Sequence, residues 1–219
     1  MKGPRFITHI KKLRDVETAL ANFFASGVLR LEEKLGPILW QFPPNFGWNE
    51  QRFRDFFALL PRDTTEAAKL ARRHDAKLDG RAWTKTKRSR PVRHCVEIRH
   101  SSFLNPKFFQ LLRRYHIAFV FADTAGKWPY SEELTADFVY CRLHGDLELY
   151  VSGYSDPAIE QWARRLEKWH LPQLKGKTPR DIYVYFDNDA KVHAPFDAKR
   201  LAGRLGVVWD QVVPTPTRR

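Results

Sequence analysis

The sequence is poor in the features that assign a protein quickly. It has two cysteines in 219 residues, Cys95 and Cys141, both in or beside apolar strand-like runs. They show no metal-type pairing and no disulfide framework, so they read as small buried hydrophobes. None of the 11 glycines belongs to a GxGxxG or Walker pattern. The Gly-rich turn that cradles a nucleotide phosphate is therefore missing, and no nucleotide cofactor is implied. No run approaches the ~20 consecutive apolar residues of a membrane span, which argues against a membrane partner. The chain opens MKGPRF without an apolar signal region, so the expected compartment is the cytoplasm.

What is present is a globular composition, 43% hydrophobic and 14% aromatic, with a net charge of +13. The charge is unevenly spread. Arg62 to Arg93 holds 11 Lys/Arg against 4 Asp/Glu, which is +7 of the +13. Within it, Asp79 to Arg90 (DGRAWTKTKRSR) is polar, basic and aperiodic, and reads as a mobile, solvated excursion.

Six short apolar runs end in polar clusters: RFITH (5–9), ILWQF (38–42), VEIRH (96–100), IAFVFAD (117–123), FVYCRLHG (138–145) and DIYVYFDN (181–188). Helical periods follow most of them: Leu13 to Leu35, Asn49 to Leu60, Thr65 to Leu78, Asn105 to Tyr115, Pro157 to His170 and Phe196 to Leu205, while the segment after Asp123 is loop-like. Apolar runs alternating with helices indicate parallel β/α units, and polar groups at strand C-termini are where such folds build sites.

Strand alternation then sorts the side chains. Glu97 and Arg99 share one face of VEIRH, and Tyr140, Arg142 and His144 share one face of FVYCRLHG. With the apolar faces under helices, the charged ones are assigned to the interior. The expected catalytic residues are Glu97, Asp123 and His144; the expected substrate-binding residues are His9, Gln41, Arg99, Arg142 and Asn188. Two carboxylates suit acid/base work, and two arginines suit an anionic group. Alternatively, Glu97 and Arg99 neutralise one another as a structural pair. No HxH or HExxH spacing supports a divalent metal, so no metal ligand is assigned.

At ITH, LGPILWQFPPNF, VEIRHSSF, YCRLHG and YVYFDND the sequence resembles the YecE-like family, also called domain of unknown function 72. The resemblance runs from about Lys2 to about Leu205, with several motifs in order. It implies an α/β fold of the TIM-type (β/α)8 barrel class, without naming a reaction. Family members begin with a Gly-Thr-Ser-Gly-Trp-like strand and then a Val-Glu-like strand, and neither motif is present here. RFITH then corresponds to the third strand. The expectation is a single incomplete barrel over residues 1–209, with about six β/α units (strands 3 to 8). It includes a basic excursion at 62–94 and is followed by a flexible tail at 210–219.

Three functional readings compete. One is an acid/base enzyme of hydrolase, lyase or isomerase type, acting on a small phosphorylated or carboxylated compound at the C-terminal barrel mouth. The second is a nucleic-acid-associated protein gripping phosphates through 62–94, with Trp83 the one stacking residue in its basic core. The third is a non-functional truncated remnant. The residues leave cofactor and oligomeric state open.

Overall fold

The computed structural model describes residues 1–171 and 178–207. Its strands are β1 (Ile38–Gln41), β2 (His94–Glu97), β3 (Ala118–Asp123), β4 (Phe138–Leu143) and β5 (Asp181–Phe186). They form one parallel sheet in the order β1-β2-β3-β4-β5. The helices are α1 (Glu17–Ala25), α2 (Glu50–Leu59), α3 (Thr64–Ala71), α4 (Pro106–Arg114), α5 (Asp156–His170) and α6 (Ala194–Arg204).

The chain divides into two compact units. The first is Met1–Val120 with Ser131–Ala136; the second is Phe121–Tyr130 with the chain from Asp137 on. In the first unit an aromatic cluster fills the space around α2. Phe53 is fully buried, with ring centroids 4.9 Å from Phe42, 5.2 Å from Phe103 and 5.5 Å from Phe46. In the second unit α5 buries Ile159, Trp162, Leu166 and Trp169 at helical spacing, and Phe121 meets Trp169 at 4.4 Å.

The structure corrects the expected fold class. The sheet has five parallel strands, not six, and is not a closed eight-stranded barrel. The missing strand is RFITH. Phe6–Ile10 is a π-helical turn, closed by Lys11 N–H to Phe6 O at 2.8 Å. The residues beside β1 are instead Met1–Gly3, with Lys2 bridging Leu39 and Gly3 N–H donating to Leu39 O at 2.8 Å. Pro4 explains the break: it has no N–H for a ladder, and its fixed φ suits the start of a helical turn. Ile7 and Thr8 are both buried within this turn.

Other boundaries shift for local reasons. The period from Leu13 to Leu35 divides into α1 and a 3-10 segment, Val28–Lys34, because Gly27 takes φ +105° between them. α2 starts where its cap predicts, with Asn49 Oδ1 accepting from Arg52 N–H at 3.0 Å. For α4 the cap is Asn105, whose Oδ1 accepts from Lys107 N–H, and Ser101–Phe103 forms a separate 3-10 turn. The 210–219 segment lies outside the described residues. Among the described residues, no helix is long and apolar enough to cross a membrane.

Candidate functional site

The eight residues singled out by sequence fall four in each unit. His9, Gln41, Glu97 and Arg99 belong to the first; Asp123, Arg142, His144 and Asn188 belong to the second.

In the first unit, parallel pairing sets Gln41 at the end of β1 against Glu97 at the end of β2. Gln41 Nε2 donates to Glu97 Oε1 at 2.6 Å, and Arg99 Nε donates to the same oxygen at 3.2 Å. Glu97 is fully buried. Its charge is answered within the site, which is the arrangement a structural ion pair requires. His9 sits on the π-helical turn with Nδ1 2.8 Å from Thr8 Oγ1. Burial, then the charges of Arg5, Lys2 and Arg99, hold its pKa below the ordinary imidazole value.

In the second unit the alternation places side chains as expected along β4. Tyr140, Arg142 and His144 lie on the face that β5 shares through Tyr183, Tyr185 and Asp187. Tyr140 stacks with Tyr185 at 5.0 Å and with Tyr183 at 6.4 Å. Beyond this tyrosine ladder, Asp187 Oδ2 accepts from Arg142 Nη2 at 2.6 Å and lies 3.0 Å from His144 Nδ1. The imidazole is fully buried, with its ring edge-on to Tyr150 at 5.2 Å and to Trp128 at 6.5 Å. Neither ring nitrogen makes a well-directed hydrogen bond, although Nδ1 is close to the carboxylate. A buried polar group in that state calls for a water, a ligand or a catalytic task.

The loop after β4 fixes this histidine. Tyr150 N–H donates to His144 O at 2.5 Å. Gly145 has φ +131°, and a Cβ there would sit 2.3 Å from Glu148 O, so the loop's return requires glycine. Asn188 is structural in its contacts: Nδ2 donates to Ser152 O at 3.0 Å and to Asp197 Oδ2 at 2.9 Å, joining loop to α6.

Asp123 is turned elsewhere, toward α5. Its Oδ2 accepts from Tyr154 Oη at 3.1 Å and from Trp162 Nε1 at 3.2 Å. Burial raises its pKa above the usual carboxylate range, against the opposing effect of those donors. Burial also raises the Tyr154 phenol, with the Asp123 charge second. Asp123, Thr124, Trp128, Tyr130, Trp162 and Arg165 line a cleft of about 310 Å³. Trp128 thus borders this cleft and also packs on His144. The structure therefore brings together Arg142 and His144, and separately Gln41, Glu97 and Arg99.

Asp187, the carboxylate beside Arg142 and His144, is the residue of this cluster that sequence reasoning missed. Its signal was present in YVYFDN, where Tyr183, Tyr185 and Asp187 alternate in step with Tyr140, Arg142 and His144. Among the described residues, no group of three or more His, Cys, Asp or Glu side chains converges to hold a metal ion.

A sequence model of one family, described as Protein of unknown function DUF72, matches residues 1–219. No curated protein matches the sequence. The fold is similar to the crystal structure of a DUF72 family protein from Thermotoga maritima MSB8. That likeness has a TM-score of 0.68 and 22% identity, over 94% of this chain and 72% of the other. It is also similar to a DUF72 family protein from Enterococcus faecalis V583. There the TM-score is 0.63 and the identity 15%, over 94% of this chain and 71% of that one.

Proposed function

The chain belongs to the DUF72 family of proteins of unknown function, and from that premise we propose that it is an acid–base enzyme acting on a small carboxylated or phosphorylated compound. The site is the C-terminal end of β4 and β5. His144 transfers the proton, Asp187 orients the imidazole through Nδ1, and Arg142 supplies the positive field that receives the substrate's anionic group. The observation that carries this reading is the state of His144: fully buried, beside a carboxylate, with neither nitrogen in a directed hydrogen bond. An imidazole with a carboxylate 3.0 Å from one nitrogen and the other nitrogen unanswered is placed to act as a general base or acid.

The companion charges support the substrate class. Arg142 is mostly buried and shares Asp187 with His144, so one carboxylate faces two groups that can carry positive charge. An incoming anion adds the second negative charge to that cluster. Asp123 is assigned to the neighbouring cleft, where its raised pKa suits a carboxyl that donates as well as accepts.

Ligand screening by NMR tests this on the whole chain. A panel of small phosphate esters and carboxylates should include compounds that move the His144 ring nitrogens and raise the melting temperature. Arg142→Ala should weaken those compounds by about tenfold or more while the fold remains, the scale of a lost charge-assisted hydrogen bond. If no compound moves His144, or if Arg142→Ala binds as tightly as the wild type, the reading is wrong.

A further inference from the structure

The basic excursion is not a loose arm. Its base is an antiparallel clasp: Val92 N–H donates to Arg62 O at 2.8 Å, Thr64 N–H donates to Arg90 O at 2.9 Å, and Asp63 bridges Pro91. Thr64, buried at the start of α3, then fixes the strip from Thr84 to Arg90. Its Oγ1 donates to Arg88 O at 2.8 Å, accepts from Arg90 N–H at 3.1 Å and lies 3.1 Å from Thr86 Oγ1. At the strip's other end Trp83 N–H donates to Ala25 O at 2.8 Å.

Between this strip and α3 lies a cleft of about 400 Å³. Its nine lining residues are four cations, four hydroxyl side chains and Ala68, with no acid among them. Two nearby cations are answered: Lys87 by Glu32 at 2.9 Å and Arg90 by Glu33 at 3.7 Å. Arg72, Lys85 and Arg88 have no carboxylate partner among the described residues. Three unanswered cations beside Thr65, Thr84 and Thr86 form a cationic, donor-rich wall without a carboxylate, and tetrahedral oxyanions are the ligands that satisfy cationic donors on several sides.

We propose that this cleft binds an anion of at least two phosphate groups, at a site separate from the His144 cluster. Recognition is of phosphate and not of base. Trp83, the aromatic group of the segment, is already covered by the Arg30 guanidinium, 4.5 Å from its ring centroid. A stacked base would have to displace that cation. The ligand therefore presents phosphates to Arg72, Lys85 and Arg88, either along a nucleic-acid backbone or as a free polyphosphate.

Two probes on the full chain separate these sources: a labelled single strand of about twelve nucleotides, and tripolyphosphate. At least one should bind, with affinity falling as salt rises and with little dependence on base sequence. A strand that binds much more tightly than tripolyphosphate identifies a phosphodiester ligand; the reverse identifies a free polyphosphate. The triple variant R72Q/K85Q/R88Q should weaken the binding probe by about tenfold or more and flatten its salt slope, each lost phosphate contact removing about one. A charge-matched control, K107Q/R114Q/K199Q, should change affinity less than about threefold. Lys85→Gln alone, on an exposed side chain, applies the same test should the triple variant lose its fold. Failure of both probes to bind, or equal losses in variant and control, would overturn the proposal.

Discussion

His94 and Asp123 prefer opposite proton states for the same reason, burial. His94 accepts from Trp40 Nε1 through Nδ1 at 3.1 Å and sits 2.8 Å from Pro61 O through Nε2, which assigns the proton to Nε2. Burial lowers its pKa to about 4 from 6.5, against the opposing hydrogen bond to Pro61. A depressed histidine stabilises the fold above its unfolded pKa and loses that contribution as pH falls through the folded one. The wild type should therefore lose about 3 kcal/mol from this group between pH 6.5 and about 4. Asp123 has the opposite sign: its raised pKa gives stability that is present at low pH and lost as pH rises through the folded value. Denaturant unfolding across that window should show a shallower acid loss in His94→Gln and a steeper one in Asp123→Asn. Unchanged slopes in both variants would refute the assignment. The sequence did not disclose either behaviour. His94 carries no local sign that Trp40, 54 residues earlier, would meet its ring, and Asp123 was legible as a strand-end acid but not as one turned toward Trp162.

Among the elements, the helices were the readable part. Apolar spacing and the Asn49 cap located α2, and the periods of α5 and α6 lie within two residues of their observed limits. RFITH failed because its composition is strand-like while Pro4 and local hydrogen bonding close it into a turn. The β4 face was legible from alternation alone, and the same alternation along YVYFDN puts Asp187, not Asn188, in step with it. Asn188 is in fact committed to Ser152 and Asp197. The basic strip was read as mobile because its anchors, Thr64 and the Ala25 carbonyl, lie well upstream of it in the chain. Thr64→Val removes the threonine hydroxyl at nearly constant volume. It should destabilise the first unit by about 1–3 kcal/mol, the cost of stranding buried partners, and open 84–90 to proteolysis. Equal protease resistance in the variant would show that Thr64 does not hold the strip.

For the whole molecule, charge is the quantity that sequence states most reliably, because it does not depend on the fold. At +13 the chain repels itself, and ion pairs such as Arg54–Glu50 and Arg164–Glu160 are exposed and weak. Raising salt from low ionic strength to about 0.15 M, where the Debye length is ~8 Å, should therefore raise the melting temperature. The expected rise is about 2–4 °C, the shift that ~1 kcal/mol produces in a chain of this size. A flat or falling melting temperature would mean that attraction among the charges outweighs repulsion. Of the eight polar strand-end residues expected to form the site, four lie in each compact unit.

The clasp at the base of residues 62–92 bears on how this protein can vary. Closing a loop at its neck makes the free energy of the fold nearly indifferent to what hangs beyond it: doubling a loop's length costs only ~0.6 kcal/mol of closure entropy. Insertions and deletions between His74 and Gly80 should thus be tolerated by Val92–Arg62 and Thr64–Arg90 alike. The segment can change in length from one relative to another while the strip it carries keeps its address on α3.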